Sequence, residues 1–174
     1  PGCAVLHEAA ALRYGVYAQI YGVGAGGMNM VCQAQEGDVP RAAALARQLW
    51  PGHTAGELER ELRPYCGARP DLVLYLWCEG GRALGFAQCG LRRDYVEGCT
   101  GSPVGYLEGI FVLPQARGRG IARALERACE MWDRRAGCVE FASDCALENA
   151  GSQAMHRALG FCEAGRIVCY CKRL

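Results

Sequence analysis

A strand-like segment that enters a helix through a glycine-rich turn most constrains how this chain can fold. The apolar run GIFVLP is followed by the turn QARGRG at 115–120 and by a helical pattern over 121–135. Glycine lets a backbone approach a ligand closely, and the first N–H groups of a helix have no intrahelical partner. The turn is therefore either a tight surface turn with solvated arginines or a phosphate site, where a pyrophosphate would suit Arg117, Arg119 and Arg123. No Lys-Ser or Lys-Thr pair follows the glycines, which excludes a Walker-type loop.

Size and charge place the chain among ordinary globular domains. Its 174 residues suffice for one domain with its own core, and 51% of them are hydrophobic. The formal net charge of +1 gives no bulk attraction to nucleic acid or acidic lipid, so neither partner is expected. No apolar run approaches the roughly 18 residues of a membrane span, and 1–27 lacks a secretory-signal pattern. We expect a cytoplasmic location.

The chain contains 12 cysteines, which are scattered and include no C-x-x-C pair. Zinc sites need close cysteine pairs with histidines, and the three histidines flank no such pair, so no metal is expected. Several cysteines lie inside apolar runs such as LYLWC. We interpret them as small buried hydrophobic residues in a reducing compartment, with a disulfide scaffold as the alternative.

The N-terminal 27 residues form the less regular part of the sequence. They contain Gly22-x-Gly24-x-x-Gly27, the spacing of a dinucleotide fingerprint, but MNMVCQAQEG follows and reads as a strand and a turn rather than a helix. We interpret this match as accidental. The predicted organisation is an N-terminal extension over 1–27, expected to be flexible, and a single domain over 28–174.

The remaining segments predict an α/β fold with a mixed sheet and helices on both faces. The predicted order is β-α-α-β-β-β-α-β-α-β-β, with Asp38 and Thr54 beginning the first two helices and Glu79–Arg82 as a hairpin turn. Strands are predicted for GCVEFASD and, twice, within the closing segment FCEAGRIVCYCKRL.

Two carboxylates stand out from their surroundings. Glu108 lies inside an otherwise apolar strand, next to Gly109, and Gly109 fits a β-bulge or a close backbone approach. Asp144 ends the predicted strand EFASD, at the edge where open α/β sheets bind ligands. If the two strands are neighbours, both carboxylates face one cleft, which would attract a cationic ligand.

The spacing Arg117-x-x-Gly120-x-Ala122 after a strand resembles the acetyl-CoA loop of the GNAT N-acetyltransferase superfamily. The blocks LRRDYVEGCTGSPVGYLEGIFVLP, GCVEFASD, HRALGF and RIVCY further resemble aminoglycoside 6′-N-acetyltransferases of the group that forms dimers. The resemblance runs from about residue 28 to the C-terminus. It implies a mostly antiparallel mixed sheet with a splayed central strand pair, acetyl-CoA as co-substrate, an aminoglycoside of the kanamycin and tobramycin class as substrate, and a homodimer.

The resemblance also implies the site residues. Acetyl-CoA would be bound by Ile110, Phe111, Val112, Arg117, Gly118, Arg119, Gly120, Ile121, Ala122, Arg123 and Asn149. The aminoglycoside would be bound by Trp50, His53, Tyr95, Glu108 and Asp144. Without the resemblance, Trp50 reads equally as a core aromatic residue, His53 as a helix-end cation and Tyr95 as a loop residue.

The catalytic assignments follow from the reaction that the resemblance implies. The 6′-ammonium must lose a proton before direct attack on the thioester, and Asp144 is the first candidate base, with Glu108 second and bulk solvent as the alternative. The departing thiolate needs a proton donor, and His156 stands where many GNAT enzymes have a tyrosine. A packing histidine is the alternative there.

One position departs from the resembling group. Gly165 stands where that group commonly has a further substrate-binding carboxylate, so we expect one acidic contact to be missing or to be supplied by Glu163 or Glu148.

Two other functions stay open at this point. A GNAT enzyme acting on peptide amines would need an open groove, whereas WPGH and DYVEG are placed to enclose a pocket. A non-catalytic acetyl-CoA sensor would not need Glu108 and Asp144.

Overall fold

A computed structural model describes residues 19–24 and 27–173, with side chains from residue 30 onward. The strands are β1 (Gln19–Gly24), β2 (Gly27–Gln33), β3 (Leu72–Glu79), β4 (Arg82–Arg92), β5 (Val104–Val112) and β6 (Phe141–Ser143). The helices are α1 (Val39–Leu49), α2 (Ala55–Leu62), α3 (Ile121–Arg135) and α4 (Ala150–Leu159).

The described strands form one mixed sheet in the order β1-β2-β3-β4-β5-β6. Neighbouring strands are antiparallel except β5 and β6, which run parallel. Gly80 and Gly81 close the β3–β4 hairpin with φ of 55° and 80°, a conformation that favours glycine. The predicted mixed sheet is confirmed.

Helices cover both faces of this sheet, as predicted. One apolar cluster joins α1 and α2 to the sheet through Leu45, Leu58 and Phe86, and another joins α3 through Leu125 and Leu107. The buried face of α1 contains Ala42, Ala43 and Ala46, whose small side chains allow the helix to lie close to the sheet. Thr54 caps α2 as the sequence indicates: its hydroxyl accepts from Glu57 N–H, and Glu57 reaches back to Thr54 N–H.

A β-bulge interrupts β5 at Glu108. Gln88 of β4 lies opposite Gly109 and Cys89 lies opposite Leu107, so that Glu108 is the extra residue. The bulge shifts the alternation of side chains: Gly109 and Phe111 face the α1 side, whereas Leu107 and Ile110 pack on the α3 side. The expectation that Gly109 marks a bulge is confirmed.

The chain's two ends differ from the sequence-based expectation. Residues 161–173 are in neither a helix nor a strand, so the two closing strands predicted there are wrong. Apolar and β-branched residues predict a strand, but a strand also needs a neighbour to satisfy its backbone groups. Here Ile167, Val168 and Tyr170 are 76%, 75% and 92% exposed. The strand predicted over GCVEFASD shortens to β6.

At the N-terminal end, β1 lies within the segment expected to be an extension. Of the fingerprint-like glycines, Gly22 lies inside β1, Gly24 ends it and Gly27 begins β2, so that a strand follows them, as the sequence indicated. Residues 1–18 lie outside the described residues, and the domain boundary at residue 28 stays a prediction. The cysteines that the structure describes are all free, and five of them are buried: Cys32, Cys78, Cys89, Cys129 and Cys138.

Candidate active site

The sheet opens between β5 and β6. These strands pair over three positions, the last of which is Leu107 with Ser143. Strand β5 continues to Val112, whereas β6 ends at Ser143. Along Ile110, Phe111 and Val112, the edge of β5 away from β4 therefore has no neighbouring strand in the described chain. Such an edge can pair with an extended ligand.

The glycine turn lies at the end of this open edge. Gly118 and Gly120 have φ of 74° and 78°, and a Cβ added at either would meet nothing within 4 Å. Gly120 is the N-cap of α3 and supplies no side-chain cap. The amide groups of the first α3 turn, which begins with Ile121 and Ala122, therefore have no capping side chain. This arrangement fits an anionic group such as a diphosphate.

The three arginines of the turn have partners within the protein. Arg117 Nε donates to the Val112 carbonyl at 3.1 Å, and Arg119 forms an ion pair with Glu79 at 2.6 Å. Arg123 donates to the Ala158 carbonyl in α4. The arginines thus brace the turn against its neighbours, and the Arg117 amide donates to the Pro114 carbonyl within the turn.

A cavity of about 200 Å³ opens on the α1 and α2 side of the sheet, lined by Trp50, His53, Glu61, Leu62, Gln88 and Glu108. The Trp50 ring lies so close to Gly109 that a Cβ there would be 2.7 Å from it. His53 Nδ1 is 3.8 Å from the Glu61 carboxylate. The cavity thus combines an aromatic wall with two carboxylates, which suits a cationic ligand.

A row of polar side chains leads from this cavity toward the seam, the opening between β5 and β6 beyond their last paired residues. The Arg92 guanidinium binds Glu108 through Nη2–Oε2 at 2.8 Å and Nε–Oε1 at 3.2 Å. Its carbon also lies 3.2 Å above the centre of the Tyr106 ring. Burial, together with the charge of Asp144 and a hydrogen bond to it, raises the pKa of Tyr106 to about 12. Tyr106 therefore stays protonated. Glu108, Arg92 and Tyr106 form one contacting group, and Asp144 is near enough for its charge to act on Tyr106.

His156 of α4 lies at the point where β5 and β6 part. Its Nε2 is 2.9 Å from Ser143 Oγ, and Ser143 Oγ donates to the Leu107 carbonyl at 3.0 Å. The other ring nitrogen is 2.8 Å from the Ser152 carbonyl. These contacts fix the imidazole at the closed end of the seam, beside the last paired residues.

The remaining predicted residues are placed differently. Asn149 caps α4, its Oδ1 accepting from Ser152 N–H at 3.0 Å. Tyr95 is 81% exposed, donates to Glu97 at 2.8 Å, and is not among the residues that line the cavity. A Cβ added at Gly165 would lie 3.4 Å from the Glu97 side chain.

Sequence reasoning missed Arg92, Glu61, Gln88 and Ser143. Gln88 is 9% exposed, and a buried polar residue inside the strand pattern GFAQCG is a usable signal. Arg92 ends a strand beside a second arginine, and Glu61 belongs to a charged helix, so the sequence gives neither a distinguishing pattern.

Among the residues that the structure describes, no group of three or more metal-ligating side chains is found. No helix in the described ranges is both long and apolar enough to cross a membrane.

Comparison with known proteins defines the class. The acetyltransferase (GNAT) family matches residues 39–161. The chain therefore belongs to the GNAT acetyltransferases, in agreement with its opened sheet and glycine turn.

Its relatives narrow this class. It is 45% identical over 129 residues to the aminoglycoside N(6')-acetyltransferase type 1 of Salmonella typhimurium, covering 74% of this chain and 88% of that protein. It is 42% identical to the enzyme of the same name from Acinetobacter baumannii, covering 75% and 89%.

Two solved structures agree with this placement. Aminoglycoside N-acetyltransferase AAC(6')-Iy in complex with CoA has a TM-score of 0.82 and 40% identity, covering 87% of this chain and 99% of that one. The same enzyme with the bisubstrate analogue CoA-S-monomethyl-acetylneamine has a TM-score of 0.78 and 41% identity, covering 83% and 97%.

Proposed function

We propose that this protein transfers the acetyl group of acetyl-CoA to the 6′-amine of an aminoglycoside and so confers resistance to the antibiotic. The observation that carries the proposal is the bulge at Glu108, which connects the open edge of β5 to the carboxylate-lined cavity. The named relatives act as aminoglycoside N(6')-acetyltransferases, and a related enzyme has been solved with a ligand that joins CoA to acetylneamine.

The open edge of β5 and the glycine turn would hold acetyl-CoA. Backbone groups of 110–112 would pair with the pantetheine arm and polarise the thioester carbonyl. The amides of residues 118–123 would bind the diphosphate, because they lie at an uncapped helix start with open space around Gly118 and Gly120, and the Arg117 side chain would stand beside it. Asn149, at the start of α4, is the further proposed contact.

The cavity would hold the aminoglycoside. Trp50 and His53 form part of its wall, and Glu108 supplies a carboxylate for an ammonium group. We add Glu61 to this set: it lines the same cavity and provides the second acidic contact that Gly165 cannot provide. Tyr95 would contact the substrate only if its loop moved toward the cavity.

Chemistry at the seam would be direct attack by the neutral amine. Holding the amine and the thioester together contributes on the order of 7 kcal/mol or more to lowering the barrier. Asp144, at the end of β6 and beside Tyr106, is our first candidate for accepting the amine proton, and Glu108 is the second. His156, fixed by Ser143 at the closed end of the seam, would donate a proton to the departing thiolate.

We also propose a homodimer in the cytoplasm. The exposed apolar side chains of Ile167, Val168 and Tyr170 support dimerisation through the C-terminal segment, since pairing would cover them. Acetyl-CoA is a cytoplasmic metabolite, and free exposed cysteines such as Cys162 and Cys169 suit a reducing compartment. Light scattering of the purified protein would report a mass of one chain or two.

A coupled assay tests the main proposal. Purified protein is mixed with acetyl-CoA, kanamycin and a thiol reagent, and CoA release is followed with and without the aminoglycoside. Release that depends on kanamycin, with NMR identification of a 6′-acetylated product, is the expected result. Release with peptide amines but not kanamycin, or with no amine at all, would contradict the proposal.

A further inference from the structure

The proposed reaction places conflicting demands on the cavity. Carboxylates attract a polycationic substrate, but they also stabilise its ammonium form and so raise the pKa of the bound amine. The attacking amine must be neutral. A site lined with acidic groups alone would bind the substrate well and react with it slowly.

Arg92 is placed where it can reduce this conflict. Its guanidinium makes two contacts with Glu108 and stacks on Tyr106, and the Asp144 carboxylate is near enough for its charge to act on both Arg92 and Tyr106. The Arg92 side chain is 42% exposed, so a ligand can reach it, and the Glu108 carboxylate that it binds lines the cavity.

The charged and titratable groups around Arg92 come from several elements. Glu108 and Tyr106 lie on β5, Asp144 follows β6, and Tyr65 follows α2. Across the cavity lie His53 and Glu61. Among these groups Arg92 is the permanent cation. It binds the Glu108 carboxylate directly, and the charge of Asp144 also acts on it.

We infer that Arg92 is a positioning residue that keeps the reacting amine of the substrate neutral by offsetting the carboxylates of Glu108 and Asp144. This inference rests on the proposed aminoglycoside acetylation. The carboxylates still attract the cationic substrate from a distance. The guanidinium next to them lowers the pKa of the bound amine. The proton released from that nitrogen passes to Asp144 or to water.

The test is the pH dependence of acetyl transfer in single turnover, which separates chemistry from product release. Acetyl-CoA-loaded enzyme is mixed with saturating kanamycin between pH 5.5 and 9.5 for the unmodified protein, Arg92→Met, Arg92→Lys and Arg93→Met. In Arg92→Met we expect the acidic limb of the pH–rate profile to move upward by about one pH unit. Acetyl transfer should then be about tenfold slower at pH values below the limb and should recover above it. Kanamycin affinity at pH 7 should stay equal or improve. Arg92→Lys should keep the original limb.

Arg93→Met is the matched control, since it removes the same charge one residue further along the chain, where Arg93 is exposed. It should leave the pH profile unchanged. A loss in Arg92→Met that is the same at every pH, or an unmoved limb with weakened kanamycin binding, would overturn the inference and leave Arg92 a support for Glu108. The failure of the unmodified protein to acetylate kanamycin at any pH would instead refute the proposed function itself.

A second measurement does not depend on the folding of any variant. The 6′-nitrogen of ¹⁵N-labelled kanamycin is titrated by NMR while bound to the unmodified protein with CoA. We expect its pKa to lie at or below the value for free kanamycin. A bound pKa raised by a unit or more would show that the carboxylates dominate, and the inference would be wrong.

Discussion

The two faces of β5 each meet a carboxylate, and the two carboxylates are accommodated in opposite ways. On the cleft face, Glu108 is partly exposed and paired with the Arg92 guanidinium. On the α3 face, Asp133 is 2% exposed and lies 3.6 Å from the Cys89 thiol, a weak donor. Burial raises the pKa of Asp133 to about 7. The carboxylate on the cleft face is thus paired with a cation, whereas the carboxylate on the α3 face is partly neutralised by protonation.

The largest expected effect concerns the pH dependence of stability. Because the folded-state pKa of Asp133 is raised from 3.8 to about 7, the folded protein binds more protons than the unfolded chain between those values. Stability should therefore fall as pH rises from about 4 to 7, by roughly 2–4 kcal/mol from this group. In Asp133→Asn, urea denaturation midpoints should vary less over this range.

Glu126 contributes a slope of the same sign, because burial and the neighbouring Glu130 raise its pKa to about 7. Glu126→Gln should therefore leave the Asp133 part of the slope in place. A pH dependence in Asp133→Asn as steep as in the unmodified protein would mean that Asp133 keeps its charge inside the fold, and the contrast between the two faces would fail.

Two glycines of β5, one on each face of the strand, test the same difference between the faces. A Cβ at Gly105 would overlap the carboxyl group of the buried Asp133, whereas a Cβ at Gly109 would press on the Trp50 ring at 2.7 Å. We expect Gly105→Ala to lower the free energy of unfolding by about 3 kcal/mol. Gly109→Ala should mainly weaken aminoglycoside binding, because the Trp50 ring can shift into the cavity. Equal losses of stability in both variants, measured by urea unfolding, would contradict this division.

These contrasts also show what the sequence could and could not indicate. The first two helices, the β3–β4 hairpin and α3 were predictable because their signals are local: Asp38 and Thr54 at helix starts, paired glycines at a turn, and apolar periodicity. The closing strands were not, because RIVCY has the composition of a strand but pairing depends on a neighbour that no local pattern specifies.

The candidate site divides in the same way. Glu108 was identifiable because a charge inside an apolar strand is unusual, and the bulge explains how it reaches the cavity. Arg92 was not, since its importance comes from contacts with residues 14 to 16 positions away along the chain. Glu61 belongs to a helix whose charged composition is ordinary for a solvated face.

The cleft face should show its largest effect on activity at Asp144. We expect Asp144→Asn to lower kcat by about 100-fold and His156→Ala by about tenfold, since general acid or base catalysis contributes roughly 10²–10⁴-fold and a thiolate leaves more easily than an amine loses its proton. Asp144 is exposed, so its replacement should leave the unfolding midpoint unchanged. Steady-state kinetics in which His156→Ala is the more impaired variant would reverse the assignment of roles.

The smallest expected effect is at Glu61, which tests whether the acidic contact absent at Gly165 is supplied from α2. Its carboxylate lines the cavity but is 58% exposed, so solvent screens its attraction for an ammonium group. We expect Glu61→Gln to raise KM for kanamycin about fivefold with little change in kcat, and the difference should shrink in 0.5 M salt. Glu59→Gln is the matched control, since it removes the same charge from the same helix at a residue that does not line the cavity. A KM that rises equally in both variants would mean that the charge of the whole helix attracts the substrate. The acidic contacts on the cleft face would then come from Glu108 and Asp144, without a specific contact from α2.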